Sequence, residues 1–153
     1  MASRRRNRPG HIAVQFAPRT IEMLESPAYR VLSLSAHRVL ARIEIEMAHH
    51  GGKDNGQLPV TYDDFQRYGI DRHSIRAAIL ELVALGFVEI TDPGRAGNAE
   101  FRKPAKYRLR HRHTQYANST DEWKRIETIT DAASIAKRAR QKNKKPVGVF
   151  TGE

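Results

Sequence analysis

Cysteine is absent from the 153 residues, which excludes disulfides and thiolate metal sites at once. Long apolar runs are missing too. Nothing reads as a secretory apolar segment or approaches the roughly 20 residues that a membrane-spanning helix needs, so a cytoplasmic chain is expected. The motifs of several enzyme classes are lacking: no phosphate-cradling Gly-Lys-Ser/Thr loop, no His-Glu-x-x-His zinc motif and no nucleophile elbow. His49-His50 and His111-x-His113 have no convergent carboxylate, and adjacent histidines on a helix point apart, so neither a metal nor another cofactor is expected. Asp63-Asp64 reads as an acidic pair at a helix start, where it suits the dipole, and not as a catalytic dyad. An enzyme is therefore not expected. No internal repeat is visible. Acidic side chains are in short supply, 17 against 27 Lys plus Arg, which gives a formal net charge of +10.

That excess is unevenly spread. Residues 1–34 carry six basic and two acidic side chains, residues 35–110 twelve and ten, and residues 111–153 nine and five. The middle is nearly balanced and the flanks form basic tails, of the kind that add sequence-independent affinity for a polyanion. The arm over 1–15, with Arg4, Arg5, Arg6 and Arg8 ahead of Pro9 and Gly10, reads as disordered. Such an arm either enters a minor groove or only raises solubility, and charge alone does not separate the two.

Local signals organise the middle. Thr61 followed three residues later by Asp64 starts a helix, with Val60 and Phe65 at hydrophobic-staple positions. Asp71 is an N-cap for the next helix, with Ile70 and Ile75 as a second staple, and Gly69 supplies the sharp turn between. This is helix-turn-helix spacing. The second helix is predicted over 72–85, with Ile75, Ala78, Ile79, Leu82 and Val83 as a core stripe. Gly86 ends it as a Schellman motif in which Phe87 folds back on Leu82. The opposite face presents His73, Arg76 and Ala77, flanked by Arg72 and Ser74. Leu80 falls there as well and does not suit a polar surface.

Upstream, Ser35 is expected to cap a helix over 36–49 with Ala36, Val39, Leu40, Ile43 and Met47 as its apolar seam, and Leu34 with Val39 as its staple. A flexible turn over 51–56 leads to a short strand over 57–60. Downstream, 87–91 and 106–110 are the arms of a hairpin whose loop carries Arg95, Asn98, Arg102 and Lys103, with Lys106 opening the second arm. A polar linker over 111–120 follows, in which Asn118-Ser119-Thr120 is read as a helix-cap region and not a glycosylation site. Short helices are expected over 121–127 and 131–141, and a mobile tail over 142–153. Ala132, Ile135 and Ala136 make too thin a stripe to fold alone, so this segment should dock on its own domain or on a second subunit. Trp123 with Ile126 is the natural anchor, packing over its own core in the plainer reading and holding a protein partner in the other.

The segment 58–109, with its Gly-Ile-Asp-Arg-His-Ser-Ile-Arg turn and Glu-Leu-Val-Ala-Leu-Gly-Phe-Val-Glu-Ile ending, resembles bacterial winged helix-turn-helix proteins. It is similar to the N-terminal domains of phage and plasmid replication initiators and to winged-helix transcriptional regulators. Ser26-Pro27-Ala28-Tyr29 leading into Leu32-Ser33 resembles the replication type. The resemblance implies an α+β fold, a three-helix core with a β-hairpin wing over 16–110, flanked by the basic tails. It also implies binding to double-stranded DNA, hence a nucleoid location.

On that expectation the helix over 72–85 enters the major groove. Arg76 is the candidate for a bidentate contact with guanine, with His73, Ser74 and Ala77 beside it; its plain alternative is an ion pair with Asp71 or Glu81. Thr61, Tyr62, Arg72, Arg95, Asn98, Arg102, Lys103 and Lys106 are candidates for the phosphate backbone. The preferred role is a small transcriptional regulator, possible as a homodimer on a palindrome, because 153 residues leave little room for a helicase-contacting domain. An origin-binding replication protein is the alternative within this class, and a protein-interaction or RNA-binding adaptor the alternative from another.

Overall fold

Helices form where side chains satisfy their first amides. The computed structural model describes residues 9–97 and 102–143, so Arg4, Arg5, Arg6, Arg8, Asn98 and positions 144–153 of the expected tail lie outside the described residues. Helices α1 (Ile21–Glu25) and α2 (Pro27–Arg30) were not anticipated, although both carry a cap. The Thr20 hydroxyl accepts the Met23 amide, and Ser26 accepts that of Tyr29 with Pro27 at the first helical position. Helix α3 (Leu34–His49) starts two residues earlier than expected, because its cap is Ser33 and not Ser35. Ser33 accepts the Ala36 amide at 3.2 Å while its own amide and hydroxyl donate to the Glu81 carboxylate at 2.7 and 2.9 Å. Leu34 is consequently 79% exposed and forms no staple.

Helix α4 (Tyr62–Arg67) opens with the expected capping box between Thr61 and Asp64. Helix α5 (Arg72–Ala84) follows after four residues. Asp71 stands at its cap position, yet among the described residues its carboxylate takes no helix amide and is met by the Ser74 hydroxyl alone, at 3.4 Å. The staples hold, since Val60, Phe65, Ile70 and Ile75 are all buried. At the far end the Phe87 amide donates to Leu82 O and the Gly86 amide to Val83 O, the two bonds of a Schellman motif. Gly86 has φ +87°, and a Cβ there would lie 2.8 Å from the backbone of Glu122 and Trp123.

Strands β1 (Leu58–Pro59), β2 (Val88–Asp92) and β3 (Lys106–Leu109) form an antiparallel sheet in the order β1-β3-β2, with Leu58 opposite Tyr107 and Val88 opposite Leu109. Alternation in β3 turns Tyr107 and Leu109 into the core and leaves Lys106 and Arg108 half-exposed. The loop over 51–56 is pinned, not flexible, at its end. Buried Asn55 donates to the carbonyls of Leu109, Arg112 and His113 and accepts the Leu109 amide at 2.7 Å.

A 3-10 turn (Glu122–Arg125) and helix α6 (Ile129–Gln141) complete the chain. Trp123 is 3% exposed inside the same core as Phe65, Leu82 and Phe87, so it offers nothing to a protein partner. Ala132, Ala136 and Ala139 are buried, and α6 lies on α5 through these small side chains. The expected linker over 111–120 is held at both ends, by Asn55 and by the Thr120 amide on Arg110 O. Among the described residues the architecture is thus α+β, six helices and a three-stranded antiparallel sheet, compatible with a winged helix. The expected three-helix core corresponds to α3, α4 and α5, and α6 adds a fourth helix to it. No described helix is long and apolar enough to cross a membrane.

A buried acid joins distant segments. Glu44 of α3 is 3% exposed and receives the Arg19 guanidinium (Nε at 3.1 Å) and the His111 ring at 3.4 Å. Burial pushes its carboxyl up, but hydrogen bonds from His111 and Arg19 outweigh this and hold it below the usual range. His37, edge-on to Tyr29 at 4.9 Å, is shifted down by burial and by the Arg19 charge, against a smaller opposing pull from Glu81. Both shifts have the same sign for linkage: folding favours the deprotonated form, so stability is present above each unfolded value and is lost as pH falls through the folded one. In melts against pH, wild type should lose stability relative to His37→Phe from about pH 6.5 downward, and both should weaken below about pH 4.5 through Glu44. His50, raised chiefly by its hydrogen bond to Asp54, adds stability as pH falls over the upper range but does so in both chains. Parallel curves for wild type and His37→Phe between about pH 7 and 5 would contradict this.

Candidate nucleic-acid interface

Gly69, at φ +107°, turns the chain between α4 and α5, a conformation that side chains rarely adopt. Arg38 of α3 donates to the Gly69 carbonyl at 3.2 Å and so ties the turn to the supporting helix. The first turns of α5 then bury Ile75 and Ala78 and turn one side outward. Arg72, His73 and Arg76 are exposed, and their spacing of three and four puts them on one side of the helix. Ser74 and Ala77 are half-buried and share a stripe with fully buried Glu81, which Arg140 of α6 reaches at 3.2 Å. Glu81 is thus taken by Ser33 and Arg140, and Asp71 by Ser74; Arg76 has no ion pair among the described residues. Leu80 is half-buried.

Beside this helix lies a cleft of about 810 Å³ between the start of α4 and the loop joining β2 to β3. It brings together Thr61, Tyr62, Arg72, Arg95, Arg102 and Lys103, as expected from the sequence. Lys106 is not among its lining residues; its ammonium meets Gln57 at 3.4 Å. The loop has its own geometry. Gly94 has φ +72° and accepts no Cβ, which would fall 2.6 Å from Lys103 O, while its amide donates to the Asp92 carboxylate. Arg95 and Lys103 then pair through their backbones in both directions, so two cations leave the loop at the same level.

Asp63 and Arg67 were not foreseen as parts of this site. The Asp63 carboxylate binds the Arg72 guanidinium at 2.8 Å and lies 3.9 Å from that of Arg102. The Arg72 hydrogen bond chiefly holds its carboxyl below the usual range, and the Arg102 and Arg67 charges add to this. The Arg72 guanidinium also lies 6.0 Å from the centre of the Tyr62 ring and 3.2 Å from Gln66 Oε1. The signal available in the sequence was the acidic pair at the helix start, which dipole arguments absorbed completely. Thr61 forms the expected cap, its amide donating to Asp64 and its hydroxyl accepting the Asp64 amide. The hydroxyl proton donates to no partner among the described residues, so any contact of Thr61 with an anion runs through it and not through the amide.

The cleft therefore already holds the Asp63 carboxylate between cations from α5 and the loop, and that of Asp64, paired with Arg67, lines it as well. An incoming phosphate has to displace or share Asp63. Neutralising it, as Asp63→Asn, should tighten binding of a polyanion several-fold at low salt and steepen its salt dependence, read by fluorescence anisotropy across a salt series. Weaker binding would mean instead that Asp63 is needed to aim Arg72. No protein-family model matches the chain, and neither a curated protein nor a solved structure matches it.

Proposed function

We propose that the chain binds double-stranded DNA as a winged helix-turn-helix, in the role of a transcriptional regulator. The observation that carries this reading is the exposed stripe of Arg72, His73 and Arg76 on α5, set beside a cleft lined by Arg67, Arg95, Arg102 and Lys103. A helix fits the roughly 12 Å major groove, and a free guanidinium one turn in from its start suits bidentate bonding to guanine O6 and N7. Arg76 fills that role. His73 stands one turn before it, while half-buried Ser74 and Ala77 reach bases only if the helix tilts toward α6.

Arg95 and Lys103, emerging together from the wing loop, suit the neighbouring phosphates or minor groove. Arg72, braced by Asp63 and Tyr62, suits a phosphate at the groove edge. The chemistry assembled is that of recognition and not catalysis.

The test is selection from random and genomic duplexes by the purified chain at several salt concentrations. Enrichment of one motif that persists at moderate salt supports the reading, and its half-site layout reports whether a homodimer binds. Retention without enrichment, lost as salt rises, would overturn site-specific recognition and leave a basic protein with nonspecific affinity.

A further inference from the structure

The basic charge beyond the cleft is not scattered. After Asp131 no acidic residue occurs before Glu153, and Lys137, Arg138, Arg140 and Lys142 fall within six positions at the end of α6. Arg140 turns inward to Glu81. Lys137, Arg138 and Lys142 are exposed and make no ion pair among the described residues.

Where this end points follows from geometry. The backbone of Glu122 and Trp123 lies against Gly86, and Arg125 donates to Ala84 O at 3.0 Å, so the 3-10 turn sits at the C-terminal end of α5. Were α6 parallel to α5 with Arg140 beside Glu81, Ile129 would lie about 24 Å from the level of Gly86. The six residues from Trp123 span only about 20 Å. A helix α6 that runs back along α5 satisfies both constraints with chain to spare, and it sends its last turn toward the end of α5 that carries Arg72, His73 and Arg76.

We infer that the end of α6 is a second DNA-contacting element, with Lys137, Arg138 and Lys142 resting on the phosphate backbone that flanks the site read by α5. This rests on the function proposed above and extends it to a segment outside the winged-helix pattern. Cations at a helix C-terminus also favour the helix dipole, but that effect fades beyond the last turn, and it gives no reason for Lys137.

Two experiments on the full chain test it. Binding of wild type and of a Lys137→Gln, Arg138→Gln, Lys142→Gln variant to one 30-bp duplex, taken from the selection, is measured from roughly 50 to 300 mM salt. About 0.9 of salt slope accompanies each phosphate contact, so the variant's slope should be shallower by about two to three while its preferred motif is unchanged. An unchanged slope with a lowered Tm would overturn the inference and leave only a dipole role. Wild type with no duplex binding at all would overturn the proposed function and this inference together. Because the chain has no cysteine, Lys142→Cys offers a unique position for an iron-EDTA cleavage probe. Strand cleavage clustered on one flank of the motif is expected, and cleavage absent or spread evenly along the duplex would overturn the placement.

Discussion

Arg76→Ala should erase the sequence preference of duplex binding while leaving most of the nonspecific affinity in place. A bidentate arginine contributes about 1–3 kcal/mol of discrimination against the wrong base, so affinity for the selected motif should fall roughly five- to 150-fold, toward that for random duplex. The salt slope should change by one at most, since a single charge is removed. Arg76→Lys separates fork from charge, because a lysine keeps the charge and loses the planar pair of donors. If the lysine variant selects as well as wild type, recognition does not run through a guanidinium. If neither variant alters selection, base reading lies elsewhere on the molecule. The structure makes the test clean in one respect: Arg76 is exposed and holds no ion pair among the described residues, so its removal should not disturb the fold.

Glu81→Ala should have the largest effect on stability. This carboxylate is fully buried in the last turn of α5, where it accepts the Ser33 amide and hydroxyl that start α3 and pairs with the Arg140 guanidinium near the end of α6. Three helices therefore meet at one side chain. Removing a buried ion-pair partner costs about 3–5 kcal/mol, chiefly because the groups left behind lose an acceptor that water does not replace. Arg140 is 41% exposed and regains solvent, so the lower end, about 3 kcal/mol, is expected. For a chain of this size that corresponds to a fall in Tm of about 10 °C, measurable by calorimetry. Arg140→Ala keeps the acceptor of Ser33 but leaves a fully buried carboxylate without its cation, so a loss of the same order is expected. A negligible loss for Arg140→Ala would show that the cap of α3, and not the pair with α6, carries the cost.

The local elements were readable because each is specified within a few residues. Thr61 and Asp64 cap α4, Ile70 and Ile75 staple α5, and Gly86 with Phe87 closes its Schellman motif. Strand β3 follows from alternation at Lys106, Tyr107, Arg108 and Leu109. Errors arose where a partner far along the chain decides. Ser33 and Ser35 are equally plausible caps in isolation, and Glu81, 48 residues away, selects Ser33. Asn55 looks like a turn residue, and only the carbonyls of Leu109, Arg112 and His113 show that it is a buried bracket. The short helices α1 and α2 lack the periodicity that would reveal them and stand on their caps.

The candidate site divides in the same way. That Arg72, His73 and Arg76 share one exposed side follows from helical spacing alone. That Asp63 holds Arg72 and faces Arg102 does not, since the loop between β2 and β3 reaches α4 only once the sheet has formed. The sequence by itself determined the caps, the periodicities and the surplus of positive charge, because these depend on neighbours within about four residues or on composition. Tertiary structure alone decided which charges are spent on Glu44, Glu81 and Asp63 and which stay exposed, and that Trp123 is buried in this chain's own core. The Asp63–Arg72 pair apart, which spans nine residues across the turn, those outcomes require segments 25 to 67 residues apart to meet, and no local preference encodes such a meeting.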